Sequence, residues 1–291
     1  MPDELLTALL AGPGLRVVVA TTSGLCREAR ERHQAGAASA ALLARGLTGV
    51  ALLSGLQKEE TRVSLQLECD GPLRGFYTDA TTGGAVRGYV KNPLLQHLGE
   101  PGPYRFRPAL GNKGFLSTVR EMQGGEFYRS SVDLQAFELA VDLERFFQTS
   151  EQVDSVVALD VHADGEEALG SVAGLLIQSL PDGDSAVLEA LRGRLHGEAA
   201  LARQLDRTRD PSAAGLLRAL FNEDSPEILS VRPLGFQCRC SRERVRQALR
   251  LLGRAEIEEL LREDGKADVT CEFCTAAYVL EAEELRSLLE G

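Results

Sequence analysis

The clearest periodicity in the chain lies between residues 61 and 69, where apolar and polar side chains alternate. Because successive side chains of a strand point to opposite faces, this alternation predicts a strand with one buried face. The apolar face comprises Val63, Leu65, Leu67 and Cys69, and the polar face comprises Arg62, Ser64, Gln66 and Glu68. A run rich in β-branched residues, Leu15–Thr21, predicts another strand.

Further strand-like segments follow, with helical segments between them. Helices are predicted from a cap at Ser23 to a stop at Gly36, over residues 37–56 and over residues 137–147. No regular strand–helix–strand alternation links these elements, so residues 1–182 are predicted to form one α+β domain around antiparallel sheet. The additional strands are predicted at residues 75–79, 85–91, 114–121, 127–134, 154–162 and 168–179.

Residues 183–231 differ in composition, being rich in Ala, Leu, Arg and Asp, with many opposed charges. They predict short helices, over 186–195 and 213–221, which Asp210-Pro211 and Ser225-Pro226 interrupt. Helices of this length are marginal in isolation. We therefore expect a metastable helical linker, followed by a small C-terminal domain at residues 232–291.

Composition and charge narrow the class of protein. The N-terminus begins with acidic residues and lacks a basic start, and no uncharged apolar run reaches about eighteen residues. These features predict neither a signal peptide nor a membrane span, so we expect a cytoplasmic protein. In that compartment the six cysteines indicate metal or redox chemistry rather than structural disulfides. A net charge of −11 argues against general affinity for nucleic acid.

Four cysteines near the C-terminus form two close pairs, Cys238-x-Cys240 and Cys271-x-x-Cys274. Each pair can direct two sulfur atoms at one point, and four thiolates are the ligand set of a closed, tetrahedral zinc site. We predict that these residues bind one Zn²⁺ per chain, with short strands at 269–270 and 276–280 flanking the second pair.

The sequence contains no phosphate-binding loop, nucleophile elbow or zinc-protease motif. No catalytic residue is therefore predicted, and we expect no enzyme activity.

The surroundings of Cys240 allow two interpretations. Ser241 is a good N-cap for an amphipathic helix that ends at Gly253, which places Cys240 near the positive end of that helix with several arginines close by. These conditions lower the pKa of a thiol and favour the reactive thiolate. Alternatively, the arginines only balance the charge of four thiolates. Outside the cluster, Cys69 is predicted to be a packed core thiol and Cys26 to be more exposed.

The cysteine spacing and its flanking residues resemble the redox-regulated 33-kilodalton heat-shock chaperone family, a cytosolic holdase. The resemblance covers nearly the whole chain. It implies an α+β N-terminal domain, a helical linker and a zinc domain that keeps the reduced protein inactive. It also implies that Cys238, Cys240, Cys271 and Cys274 are both the zinc ligands and the redox switch. The resemblance is carried by five segments: the run from Phe236 to Arg244, Glu263-Asp264-Gly265, Asp70-Gly71-Pro72-Leu73, Arg87-Gly88 and Ser150-Glu151-Gln152.

The implied switch is physically reasonable. Structural zinc contributes about 10–16 kcal/mol to the folding of small cysteine-based sites, whereas a whole domain is stable by only about 5–15 kcal/mol. If oxidation pairs Cys238 with Cys240 and Cys271 with Cys274, each disulfide closes a loop of about three or four residues and restrains the chain little. We then expect the zinc domain and linker to unfold and bind unfolding client proteins, without ATP. We also expect a reduced monomer and an oxidised homodimer, with no membrane partner.

Two other functions remain alternatives at this point. The first is a zinc ribbon that binds nucleic acid through the basic segment from Arg239 to Arg254, where six arginines accompany Glu243. The second is a thiol oxidoreductase, which is less favoured because the metal would occupy all four thiolates. The sequence also shows no thioredoxin-like strand–helix–strand context around Cys271.

Overall fold

A computed structural model describes residues 1–58, 60–96, 106–122, 124–164, 167–196, 200–221 and 225–289. The chain divides into two units, Met1–Gln237 and Cys238–Gly291. The predicted domain boundaries after residues 182 and 231 stay predictions. Residues 183–231 lie in the first unit, and a strand at Glu227–Pro233 runs across the second of these boundaries.

The first unit contains a five-stranded antiparallel sheet in the order β10-β1-β2-β9-β8. Its strands are β1 (Glu4–Leu10), β2 (Leu15–Thr21), β8 (Ser155–Asp164), β9 (Glu167–Ser179) and β10 (Glu227–Pro233). Strand β1 was not predicted, because its apolar residues do not alternate. Leu5, Leu6, Ala8 and Leu10 are all buried, so both faces of this strand are covered and the period of two is lost.

The second sheet has six strands in the order β11-β5-β4-β3-β6-β7. All its pairings are antiparallel except that of β11 with β5. Each strand predicted in this region is present, with ends shifted by about one or two residues. The strands are β3 (Arg62–Cys69), β4 (Gly75–Thr81), β5 (Ala85–Val90), β6 (Gly114–Glu121), β7 (Phe127–Asp133) and β11 (Gly235–Phe236).

One apolar helix, α2 (Ala37–Gly55), packs against strands of both sheets and is buried around most of its circumference. Gly46 lies against the ring of Phe76 in β4, and Gly49 lies against Leu65 in β3. The close approach of helix and sheet therefore explains why these glycines do not interrupt α2. Among the described residues, α2 is the one helix long and apolar enough to cross a membrane. However, 83% of its apolar window is buried inside the protein, as in a core helix.

Helix α1 (Ser23–His33) begins and ends at other residues than predicted. Its N-cap is Thr22 rather than Ser23, and its C-cap is Gln34, which adopts a left-handed conformation with φ of 49°. Gly36, the predicted stop, is instead the N-cap of α2.

A short helix, α3 (Arg107–Leu110), precedes β6. Helix α4 (Leu139–Phe146) continues into a π-helical turn at Phe147–Glu151.

Three short helices of the predicted linker pack on the face of the five-stranded sheet. They are α5 (Ser185–Leu195), α6 (Ala200–Arg207) and α7 (Ala213–Phe221). Their buried side chains include Leu188, Leu191, Leu205, Leu216 and Phe221, which form one apolar cluster with side chains of β1, β2, β8 and β9. The tertiary contact supplies the support that helices of this length need.

Polar contacts also hold these three helices to the rest of the unit. Glu144 of α4 accepts hydrogen bonds from Arg192 Nε at 3.2 Å, and its other oxygen lies 2.8 Å from Nε2 of His196. Asp160 of β8 accepts a hydrogen bond from the Leu201 amide at 2.6 Å, at the start of α6. Burial raises the pKa of the Asp160 carboxyl. Glu4 accepts from the first amide of α7, that of Ala213, at 3.3 Å.

The second unit is built from three helices and a hairpin. Helices α8 (Arg242–Leu252) and α9 (Arg254–Glu263) precede the strands β12 (Lys266–Thr270) and β13 (Ala277–Glu281), and α10 (Ala282–Leu289) follows them. Its apolar core consists of seven buried side chains among the described residues. They are Val245, Leu249, Ile257, Ala267, Leu280, Leu285 and Leu288.

Candidate metal centre

The four clustered cysteines meet at one point in the second unit. Their Sγ atoms all lie within 4.8 Å of one another, close enough to hold one metal ion. Cys238 Sγ lies 3.7 Å from Cys271 Sγ, and Cys240 Sγ lies 3.3 Å from Cys274 Sγ. These contacts join the first pair to the second. An ion at this point would therefore crosslink two segments that are far apart in sequence.

The hairpin β12–β13 positions the second pair. Thr270 faces Ala277 at the end of the ladder, and Cys271 to Ala276 form the turn. Within this turn the Cys271 amide donates to the carbonyl of Ala276 at 2.9 Å, and the Thr275 amide donates to the carbonyl of Cys271 at 2.8 Å. Thr275 adopts a left-handed conformation with φ of 60°. The turn thus directs both sulfur atoms to the same side. The strands predicted on both sides of this pair are confirmed.

The first pair lies in the segment between β11 and α8, which forms neither helix nor strand. Its second cysteine directly precedes Ser241, whose hydroxyl accepts a hydrogen bond from the Arg244 amide at 3.3 Å and caps α8. The predicted cap and the helix end at Gly253 are confirmed. Val245 and Leu249 of this helix are buried as its pattern predicts, whereas Leu252 is exposed.

The grouped sulfur atoms oppose one another's ionisation. Burial is the main reason that the pKa of the Cys274 thiol rises to about 12, and hydrogen bonds with the other cysteine sulfurs add to this rise. Burial also raises the pKa of Cys271. A cation reverses this situation, because a thiol that coordinates a metal is deprotonated. Four thiolates in this arrangement are therefore chemically suited to a metal ion.

Tyr278 was not identified from the sequence, although its hydroxyl contacts the cluster. It lies on β13, four positions after Cys274, and its hydroxyl donates a hydrogen bond to Cys240 Sγ at 3.1 Å. This hydrogen bond is the main reason that the pKa of Tyr278 rises to about 12. Cys240 lies outside the hairpin, so only the tertiary contact between the hairpin and the segment before α8 brings the two residues together, and the spacing alone could not reveal it.

The arginines near Cys240 bind acidic residues and backbone within the second unit. Arg242 donates to Glu284 at 2.8 Å and to the carbonyl of Val279 at 2.6 Å. Arg246 lies 3.6 Å from the same glutamate, and Arg254 lies 2.8 Å from Glu258. Arg242 thus connects α8 to β13 and α10, a structural role that neither interpretation of these arginines anticipated. These acidic partners also offset the positive charge of three arginines in the segment that was considered for nucleic-acid binding.

The two remaining cysteines lie outside the cluster. Cys26 is buried in α1, and burial raises its pKa to about 12, so the prediction that it is more exposed was wrong. The helix turns this side chain inward, beside Thr22 and Thr48. Cys69, at the end of β3, is only partly buried, so the prediction of a packed core thiol was wrong as well, and burial raises its pKa. Both thiols therefore differ from the reactive kind, which is exposed and has a lowered pKa.

Comparisons with known proteins identify the family. A family model described as Hsp33 protein matches residues 3–281. A 33 kDa chaperonin from Listeria monocytogenes is 31% identical over 292 residues, covering 100% of this chain and 99% of the relative. Another, from Geobacter sulfurreducens, is 34% identical over 289 residues, covering 99% of this chain and 95% of the relative.

A solved structure agrees with this assignment. The crystal structure of the 33 kDa chaperonin, a heat shock protein 33 homolog, from Thermotoga maritima superimposes with a TM-score of 0.84 at 27% identity. The match covers 100% of this chain and 98% of that one. The predicted α+β fold with a C-terminal four-cysteine cluster is confirmed. The chain therefore belongs to the Hsp33 family of chaperones.

Proposed function

We propose that this chaperone is an ATP-independent holdase that oxidation switches on. In the reduced state a zinc ion bound by Cys238, Cys240, Cys271 and Cys274 keeps it inactive. The observation that carries the proposal is the convergence of four sulfur atoms within 4.8 Å in the second unit, whose apolar core is small. Loss of the metal would remove the strongest contribution to the stability of that unit.

The sulfur positions support zinc as the metal. Zn–S bonds of about 2.3 Å in a tetrahedron place sulfur atoms about 3.8 Å apart. The two contacts between the pairs, at 3.7 and 3.3 Å, lie at or somewhat below that spacing. A tetrahedral set of four thiolates is typical of zinc or of an iron–sulfur centre, and a structural zinc site is closed to substrate, as expected of a switch without catalysis.

Oxidation would replace one long-range crosslink with two local ones. We propose disulfides between Cys238 and Cys240 and between Cys271 and Cys274, formed as zinc leaves. The zinc ion joins the segment before α8 to the β12–β13 hairpin, whereas each of these disulfides lies within a single segment. Closing such short loops stabilises a fold by only about 2 kcal/mol at best. The second unit would then unfold.

Clients would bind to apolar surface that the linker helices cover in the reduced protein. Beneath α5, α6 and α7 lie apolar side chains of four strands, among them Leu15, Val17 and Leu175. The edge strand β10 of the same sheet already exposes apolar side chains, because Leu229 and Val231 are 55% and 50% accessible. Release of the linker would enlarge this surface and allow unfolding proteins to bind there.

The remaining parts of the proposal follow the family resemblance. The protein would act in the cytoplasm, as a monomer when reduced and as a homodimer when oxidised. Nucleic acid would not be a partner, since Arg242, Arg246 and Arg254 have acidic partners within their own unit.

Light scattering of a heat-unfolded client protein tests the proposal. The client is incubated with the reduced, zinc-loaded protein or with the peroxide-treated protein. We expect only the oxidised form to suppress aggregation, and we expect a reductant followed by zinc to restore the inactive form. A Cys69→Ser variant is the matched control and should behave as the parent does. Equal suppression by both redox forms would refute the redox switch.

A further inference from the structure

The hydrogen bond between Tyr278 and Cys240 adds a second connection across the metal centre. Tyr278 belongs to β13, in the hairpin that carries Cys271 and Cys274, whereas Cys240 belongs to the segment before α8. The hydroxyl-to-sulfur distance is 3.1 Å. This contact therefore joins the same two segments that a metal ion would join, without requiring the metal.

The position of the Tyr278 ring is determined by packing. The ring is partly buried against the small apolar core, and the residue faces Val269 across the hairpin. The hydroxyl is thus held in place by a core that does not involve the cysteines. Its proton is directed at a sulfur atom whose lone pairs either bind metal or attack an oxidant.

We propose that Tyr278 is a positioning residue that protects the Cys240 sulfur from electrophiles and thereby slows the oxidation of the first cysteine pair. The effect on zinc release rests on the proposed function, whereas the protection of Cys240 does not. A hydrogen bond from a hydroxyl to a thiolate stabilises the negative charge and occupies a lone pair. Attack on an electrophile draws on that same negative charge, so the hydrogen bond lowers the nucleophilicity of the sulfur and slows the attack.

The oxidation that Tyr278 slows has a defined course. The Cys240 thiolate attacks one oxygen of hydrogen peroxide, the O–O bond breaks, and the leaving hydroxide takes up a proton to become water. The product is a sulfenic acid at Cys240. The Cys238 thiolate then attacks that sulfur and forms the S–S bond, and the displaced hydroxide is protonated to a second water. Two thiols and one peroxide thus yield one disulfide and two waters.

Alkylation kinetics test the proposal without depending on redox function. The full-length protein, reduced and zinc-loaded, is treated with iodoacetamide, and labelling of each cysteine is followed by mass spectrometry. In Tyr278→Phe, which keeps the ring and removes the hydroxyl, we expect Cys240 to react about tenfold faster, corresponding to about 1.4 kcal/mol. The rates at Cys271 and Cys274 should change far less. A loosened fold would instead accelerate all of them together.

Two further measurements keep the test decisive. Tyr128→Phe, on the exposed strand β7, removes a hydroxyl elsewhere and should leave every rate unchanged. Replacing the tyrosines with fluorotyrosine makes the hydroxyl a stronger donor and should slow labelling of Cys240 without altering the packing. Equal Cys240 rates in the parent and in Tyr278→Phe would overturn the proposal, as would faster labelling with fluorotyrosine. If peroxide released no zinc from the parent, the proposed redox function would fail while the alkylation result would still stand.

Discussion

The two units of this chaperone bury apolar side chains on different scales. The cluster beneath the linker helices joins twenty buried side chains of the described residues, drawn from four strands and three helices. The core of the cysteine-containing unit joins seven. A single core in a domain of fewer than about 70–80 residues rarely supplies more than about 3–5 kcal/mol. The first unit can therefore be stable through burial alone, whereas the second needs a crosslink.

This difference also indicates where a switch can operate. A structural zinc site contributes about 10–16 kcal/mol, which exceeds what the small core supplies. A chemical change at four sulfur atoms can thus remove most of the stability of one unit. Under the proposed oxidation the sheets of the other unit should stay intact, since Cys26 is buried there and Cys69 is partly buried. The comparison predicts a graded series of effects.

Loss of the metal should produce the largest effect. We expect the reduced protein to contain one zinc ion per chain, and we expect Cys271→Ser to lose zinc and to unfold residues 238–291. The missing contribution is on the order of 10 kcal/mol. Metal analysis, a count of protected thiols and hydrogen exchange check this outcome, with Cys69→Ser as the control. Full zinc affinity in Cys271→Ser would show that the ligand assignment is wrong.

Oxidation should release the linker as the next largest effect. Amides between residues 186 and 220 should lose protection from hydrogen exchange, while those of β3 (Arg62–Cys69) should keep theirs. The reason is that helices of this length are marginal in isolation, and the chain leads from them into the unit that oxidation is proposed to unfold. Hydrogen exchange with mass spectrometry compares the two redox forms. If the linker stayed protected in an active oxidised sample, zinc release alone would have to account for activation.

Truncation of the small core should have an intermediate effect. Leu280 is fully buried in β13, so Leu280→Ala should destabilise the zinc-loaded second unit by about 2–5 kcal/mol. Leu251, at 88% exposure on α8, provides the matched control, and Leu251→Ala should change stability by less than about 0.5 kcal/mol. The denaturant concentration at which zinc is released measures both. Similar midpoints for the two variants would contradict the assigned core.

The smallest effect concerns pH and Asp160. Because burial raises the pKa of this carboxyl in the folded state, its contribution to stability is full at acidic pH and is lost as the pH rises through the folded pKa. Docking of α6 should therefore weaken toward neutral pH. Asp160→Asn should remove this part of the pH dependence. Hydrogen exchange of α6, corrected for the intrinsic rate at each pH, compares the variant with the parent. Identical pH profiles in Asp160→Asn and in the parent would contradict the assignment of this pH dependence to Asp160.

Much of the fold was predictable because its signals are local. The alternation over β3, the Ser241 cap and the spacing of the four cysteines each depend on residues that are close in sequence. A strand with one covered face keeps its period of two, and a cysteine pair within a turn can direct two sulfur atoms at one point. The sequence by itself thus determined the α+β class, the helical character of the linker region and the cysteines that come together.

Other features were decided only by the tertiary structure, because they depend on residues distant in sequence. Strand β1 has no alternation, since helices pack on both its faces, α2 on one and the linker helices on the other. Gly46 and Gly49 fit within α2 because β4 and β3 approach it closely. The hydroxyl of Tyr278 reaches Cys240 only because the hairpin packs beside the segment that precedes α8. Chain spacing carries no information about such contacts, which arise where separate elements pack together.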